Sequence, residues 1–197
     1  MLKKLILATA LVLAAGQAAA APLSYKIDPN HTNVIASWDH FGFSKPSAHF
    51  GQADGVIVYD ADNIGQSSVK VTLPLTGLSA FVADFEAHLR SDDFFKAEEF
   101  PDATFASTKV EAAGENKLRV FGDLTMHGVT KPVVLDVTLN KAGPGRDGQP
   151  RIGFDATSTI KRTDWGLGLY APKVSDEVTL RITTEAGVPK ADADAKK

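Results

Sequence analysis

The feature that most restricts this chain is a two-residue hydrophobic period that returns in segment after segment. Val34, Ala36, Trp38 and His40 alternate with Asn33, Ile35, Ser37 and Asp39. Ile57 and Tyr59 alternate with Val56 and Val58, and Val69, Val71 and Leu73 with Ser68, Lys70 and Thr72. The same rhythm runs through Leu118 to Met126, Val133 to Asn140, Phe154 to Ile160 and Val178 to Thr183. Period two sends successive side chains to opposite faces of a strand. Each such strand covers one interior and shows its other face to water. Gly114-Glu115-Asn116 and the run from Gly143 to Gly148 read as hairpin connections, so neighbouring strands pair antiparallel. A flat sheet of this width would leave two open edges and one uncovered apolar face. Closing it into a barrel removes both defects. A two-sheet sandwich satisfies the same alternation.

One stretch departs from period two. Phe81, Val82, Phe85 and Leu89 have helical spacing, and Glu86 precedes Arg90 by four residues, a favourable helix pair. Pro101 prevents a helix from continuing. The expectation is a short amphipathic helix and loop that either cover one barrel opening or pack on the wall. Phe81, Phe85, Leu89, Phe94 and Phe95 form an aromatic-rich cluster there, read equally as a mobile lid or as a helix stapled to the barrel.

The ends read differently from the middle. Lys3 and Lys4, the uncharged apolar run Leu5 to Ala15, and the small residues Ala18-Ala19-Ala20 have the layout of a secretory signal peptide over residues 1–20. The apolar run is about half the roughly 20 residues needed to span a bilayer, so no stable membrane anchor is expected once it is cleaved. With no cysteine in the chain, an N-terminal lipoprotein linkage is excluded, and no thiol can mispair in an oxidising compartment. The expected location is the periplasm. Residues 21–188 form one domain, and 189–197, all Ala, Asp and Lys after Pro189, read as a disordered tail. Net charge is -3 for the whole chain, and the exported part holds no basic cluster, which argues against a nucleic-acid partner.

Inward parity selects Val34, Ala36, Trp38, Ile57, Tyr59, Phe105, Leu124, Met126, Phe154 and Ile160 as candidate wall residues of an interior site. His40 shares that parity, Phe81, Phe85 and Leu89 belong to the helical cover, and Trp165 in the turn Asp164 to Gly168 either lines a barrel mouth or covers its outer edge. Small inward residues, Ala36, Gly122 and Ala156, would leave room for a ligand. An eight-stranded barrel can instead be filled by its own side chains, and composition does not decide between the two. The five histidines, His31, His40, His49, His88 and His127, have no i, i+4 pair and no cysteine to join them, so no metal site is expected. His127 lies in a turn and is expected to be exposed. Asp60 to Gly65 begins like a calcium loop, but Ile64 and Val71 occupy ligand positions, so it reads as a turn. Ser107 and Ser158 lack a nucleophile-elbow context. No catalytic group is assigned. Arg90 reads as a structural ion-pair partner of Glu86 or as a contact for a ligand head group.

Several segments together resemble the YceI family of periplasmic polyisoprenoid-binding-like proteins. They are Asp28 with His31, His40-Phe41-Gly42-Phe43-Ser44, His88 to Phe94, Phe100 to Phe105, Gly122 to Val133, Gly153-Phe154 and Asp176-Glu177-Val178, in order over about residues 24 to 186. The resemblance implies an all-β fold, an eight-stranded antiparallel lipocalin-like β-barrel with one or two short helices and an elongated apolar cavity. It implies a bound isoprenoid chain in at least some members and a family that is not generally enzymatic, so the expected ligand is a polyisoprenoid or isoprenoid quinone, with no required cofactor and no enzymatic activity expected. The chain departs from the family pattern in Phe81 to Phe85, which is greasier than usual ahead of His-Leu-Arg. Two other readings stay open: an enzyme acting on a small apolar molecule through His40 and Tyr59, and a filled-core stress-response interaction protein. Monomer and homodimer are both compatible with the sequence.

Overall fold

The structure, a computed structural model, describes residues 21–190. The expected signal segment and residues 191–197 of the expected tail lie outside the described residues. The chain forms strands β1 (Leu23–Ile27), β2 (Asn33–Ser37), β3 (Ser47–Phe50), β4 (Asp54–Tyr59), β5 (Ser68–Pro74) and β6 (Leu78–Ser79). Helix α1 (Ala83–Arg90) follows, and then β7 (Asp102–Ala112), β8 (Lys117–Met126), β9 (Val129–Pro144), β10 (Pro150–Lys161) and β11 (Glu177–Gly187).

The first six strands are the halves of three broken ones. β1 and β2 both pair antiparallel with β11, through Ile27 with Ala186 and Asn33 with Thr183. On their other side β1 pairs with β4 and β2 with β3. β4 then pairs with β5, and β3 with β6. From β5 onward each strand pairs with the next through β7, β8, β9, β10 and β11. The result is a closed eight-stranded antiparallel barrel of up-and-down order with one α-helix among the described residues, as expected, and not a two-sheet sandwich.

Each break has a local cause. Between β1 and β2, the Asp28 carboxylate accepts from the Asn30 N–H and Pro29 opens a single 3₁₀ turn. The breaks at Gly51 and Gly77 face each other, and the Gly51 N–H donates to the Gly77 carbonyl at 3.0 Å. A Cβ at Gly77 would stand 2.5 Å from the Gly51 carbonyl oxygen, so the two bends approach closely only because a side chain is missing there. Asp60 does close a turn: its Oδ1 accepts from the N–H groups of Asp62 and Asn63. The β8–β9 connection is a two-residue hairpin with His127 at φ 50° and Gly128 at φ 71°, the left-handed pair that suits the twist of flanking strands.

Parity holds along the long strands. Leu118, Val120 and Met126 are buried while Lys117, Arg119 and Asp123 are exposed. Gly122 is also inward, but its room is not left for a ligand. The Phe105 ring occupies it: a Cβ on Gly122 would lie 2.4 Å from Phe105 Cζ and 2.6 Å from the Ala106 carbonyl oxygen. Gly122→Ala should therefore push the ring and the β7 backbone aside, at a cost of about 1–3 kcal/mol. A urea midpoint unchanged from wild type would show that the notch is not tight.

Candidate ligand-binding site

The barrel interior is not filled. It holds two apolar chambers, one of about 410 Å³ beside α1 and one of about 170 Å³ toward the other end. Val34, Leu73, Leu124 and Leu180 line both, so the two chambers adjoin at a collar of these four side chains. The larger volume lies within the range of small-molecule sites. Its lining is carbon almost throughout. Burial raises the Tyr59 hydroxyl pKa at the lower chamber, and burial together with the nearby Tyr59 does the same for Tyr25, as expected of a dry interior.

Small residues make the space. Ala36, Ala48 and Ala103 face the upper chamber from β2, β3 and β7, where longer side chains would meet in the middle. Its roof is α1 and the turn after it. Phe85, Leu89, Phe94 and Phe95 point down into the chamber, with Phe85 6.2 Å from the Trp38 ring and Phe95 5.8 Å from Phe50 between centroids. Eight residues of helix are marginal alone in water, so packing and side-chain bonds must hold α1. Glu86 Oε1 accepts from the Ala80 N–H at 2.8 Å and from Ser79 Oγ at 2.9 Å. Arg90 donates to the carbonyls of Leu75 and Leu78, with Nε 2.9 Å from the former. Its ion pair with Glu86 is long, at 3.8 Å. Arg90 is therefore a clamp on the β5–β6 corner and does not line the cavity.

The exposed lining residues His40 and Tyr170 put the mouth between two loops, 38–46 and 166–175. Arg162 holds the second loop. It is only 8% exposed. Its guanidinium donates to the carbonyls of Leu167, Leu169, Val174 and Ser175. Burial lowers the Arg162 pKa, countered by the Asp176 charge. Because backbone carbonyls take up most of its donors, this cation shapes the loop and adds little polarity to the lining. Tyr170 and Val174 of that loop and His40 of the other complete the rim.

The expected site residues separate cleanly. Ala36, Trp38, His40, Phe85, Leu89, Met126 and Ile160 line the upper chamber, Ile57, Tyr59, Phe105 and Phe154 the lower, and Val34 and Leu124 both. Phe81 and Trp165 line neither. Phe81 is 76% exposed, packed edge-on against His49 outside the chamber, because α1 starts two residues after it. Trp165 is 1% exposed, and its Nε1 donates to the Leu124 carbonyl at 3.1 Å, so it seals the wall at β8. Ala156 does open onto the lower chamber. His127 is not simply exposed: its Nδ1 lies 2.8 Å from the Trp165 carbonyl and its ring rests against Phe100. Phe50, Leu73, Val178 and Leu180 also line the upper chamber. Leu73, Val178 and Leu180 follow the alternation already visible in sequence. Phe50 sits on a strand too short to show a period.

Outside the barrel interior, Asp28, His31 and Glu185 bring ligand atoms within 4.8 Å of one another. Arg151 stands among them, 3.0 Å from Glu185 and 3.8 Å from Asp28. The arginine supplies the positive charge that a metal would bring. The hydrogen bond between Asp28 and His31 lowers the carboxyl pKa and raises the imidazole pKa.

The Glu86 anchor has a pH consequence. Hydrogen bonds from Ala80 and Ser79, with the Arg90 charge, hold its carboxyl below the ordinary 4.5. A carboxyl lowered on folding stabilises α1 fully above that ordinary value, and the contribution fades as pH falls through the folded value. Hydrogen exchange at the α1 amides should accelerate, relative to the barrel, as pH drops below 4.5. Glu86→Gln should exchange faster already at neutral pH and lose that acid dependence.

Comparison with known proteins agrees with this geometry. Residues 25–186 match the family model of the YceI-like domain. A UPF0312 protein of Pseudomonas putida is 40% identical over 172 residues, 85% of this chain and 88% of the relative. A UPF0312 protein of Pseudomonas syringae pv. tomato is 38% identical over 193 residues, 96% of this chain and all of the relative. Among solved structures, Burkholderia cenocepacia BcnA superposes with a TM-score of 0.74 at 24% identity, covering 81% of this chain and 99% of that one. The Campylobacter jejuni YceI protein has a TM-score of 0.69 at 31% identity, covering 77% and 90%. A polyisoprenoid binding domain from Saccharophagus degradans, implicated in plant cell wall breakdown, has a TM-score of 0.64 at 16% identity, covering 84% and 98%. The order of its motifs, its closed eight-stranded barrel and the match over residues 25–186 place this chain in the YceI-like domain family.

Proposed function

We propose that this protein is a periplasmic carrier that holds a long apolar lipid, a polyisoprenoid or isoprenoid quinone, inside its barrel without acting on it chemically. The observation that carries this reading is the apolar chamber of about 410 Å³, with a second apolar chamber bordered by four of the same side chains. A hydrocarbon chain needs no directional bond there: each buried CH₂ contributes about 0.8 kcal/mol. With so few polar atoms inside, any polar head group belongs at the rim near His40 and Tyr170. The signal-like layout of residues 1–20 supports export. The Saccharophagus domain, described as polyisoprenoid binding, supports the idea that this fold can house such a chain.

The alternatives fare worse on particular observations. Catalysis through His40 and Tyr59 would need both groups at one reacting centre. His40 lines the upper chamber and Tyr59 the lower, with the apolar collar between them. A filled-core interaction protein would need the tunnel closed by side chains.

Mass spectrometry of an organic extract of the natively purified protein should find a prenyl-chain lipid; a lipid-free extract together with no uptake of geranylgeraniol would end the carrier reading. Ala103→Phe places a ring in the upper chamber and should lower geranylgeraniol affinity roughly tenfold or more while the barrel stays folded. Trp38 lines the chamber and is only half-buried. Trp38→Ala should therefore cost less than the about 3–5 kcal/mol of a tightly packed core aromatic, yet weaken probe binding. A full core penalty with unchanged binding would place Trp38 in packing alone.

A further inference from the structure

We propose that loops 38–46 and 166–175 form a docking surface for an anionic lipid bilayer, placed so that the tunnel opens onto the membrane that supplies its cargo. The inference rests on the carrier reading and adds where loading takes place.

The two loops are one platform. The Phe41 N–H donates to the Lys173 carbonyl and the Ser175 N–H to the Asp39 carbonyl, each at 2.9 Å, and His40 bridges to Val174. Four large apolar side chains of this platform are exposed: Phe43 at 92% and Tyr170 at 54%, with Phe41 at 43% and Leu169 at 37% more than half covered. Single exposed apolar residues are ordinary, but a group of them on hydrogen-bonded neighbouring loops marks a contact site. Two of them also sit in left-handed backbone, Phe41 at φ 56° and Tyr170 at φ 65°. Bulky residues adopt that conformation at a cost that glycine would avoid.

The position of the patch points to a bilayer. His40, Tyr170 and Val174 of the same loops line the upper chamber, so the exposed rings stand on the loops that border it. A long apolar chain is costly to pass through water, and transfer by contact avoids that step. Aromatic rings prefer the membrane–water interface, and nearby lysines strengthen contact with anionic lipid. Lys45 and Lys173 are exposed on the two loops, although the chain as a whole has net charge -3. The Asp39 carboxylate in the first loop is tied to the Gly42 N–H at 2.7 Å. Exposed acids, Asp84, Asp92 and Asp93, lie on the α1 side, which confines the contact to the lysine-bearing loops.

The test is flotation of the full-length processed protein with vesicles of phosphatidylethanolamine and phosphatidylglycerol, beside uptake of geranylgeraniol in their absence. Wild type should float with these vesicles and less with phosphatidylcholine alone. Phe43→Ser with Leu169→Ser, both exposed and outside the cavity lining, should float roughly tenfold less, as should Lys45→Glu with Lys173→Glu. Both variants should take up geranylgeraniol as wild type does. Wild type that stays with the soluble fraction, or variants that float equally well, would overturn the docking surface. So would a stable dimer in vesicle-free solution that the serine variant dissolves, since the patch would then be covered by a second copy. Flotation without any geranylgeraniol uptake would leave the docking surface standing and overturn the carrier reading instead.

Discussion

Closure of the backbone ladder at β11 is the constraint on which the rest of this protein depends. One region, Leu23 to Ser37, must bond to β11 along one side and to β3 and β4 along the other. Without that double pairing the sheet would have two edges and its apolar face would need another cover. With it, the inward residues of all the strands face a single interior. The broken strands belong to this solution. A small barrel needs tilted and strongly bent strands, and the breaks at Asp28 to Thr32, at Gly51 and at Gly77 supply bends where the chain can satisfy its hydrogen bonds locally.

A closed ring of eight strands has an interior just wide enough to be filled or to hold one small ligand. Which outcome occurs depends on the sizes of the inward side chains and on their directions. Toward one end, Phe105, Tyr59 and Phe154 fill most of the width, with the Phe105 ring resting in the notch at Gly122 and Tyr59 against Phe154 at 5.9 Å. The remaining space there is small. Toward α1, the alanines at 36, 48 and 103 stand where larger residues could have met, and the aromatic residues come from the roof instead of the wall. The tunnel thus widens toward the helix-covered end.

The polar chemistry near that end serves the shape of the site. Arg90, Glu86 and Arg162 all lie beside the cavity, yet their bonds run chiefly to backbone groups of the lid and mouth loop. Buried charge that is satisfied by carbonyls rigidifies a loop without presenting a partner to a ligand. Under the proposed carrier function, selection among cargoes follows chain length, branching and fit, with any head group answered at the rim.

Much of this was legible in the sequence because a strand has a period of two and that period survives without knowledge of neighbours. The alternation from Leu118 to Met126 placed Val120, Leu124 and Met126 inward, and the spacing of Phe85 and Leu89 found the helix. The scattered spacing of the five histidines and the absence of cysteine narrowed the chemistry expected in the same way. Other features had no local signal. Phe81 shares the helical spacing of Phe85, but the helix begins after it, so it points to solvent. Gly122 looked like spare room until Phe105, from a strand paired across the ladder, was found inside it. Tyr170 and Val174 reach the rim only because Arg162 gathers the loop that bears them. The sequence by itself determined which face of each strand is apolar, since that depends on alternation along a few residues. Only the tertiary structure decided that the faces enclose a tunnel and where it opens, since volume and access depend on side chains meeting from strands far apart in the chain.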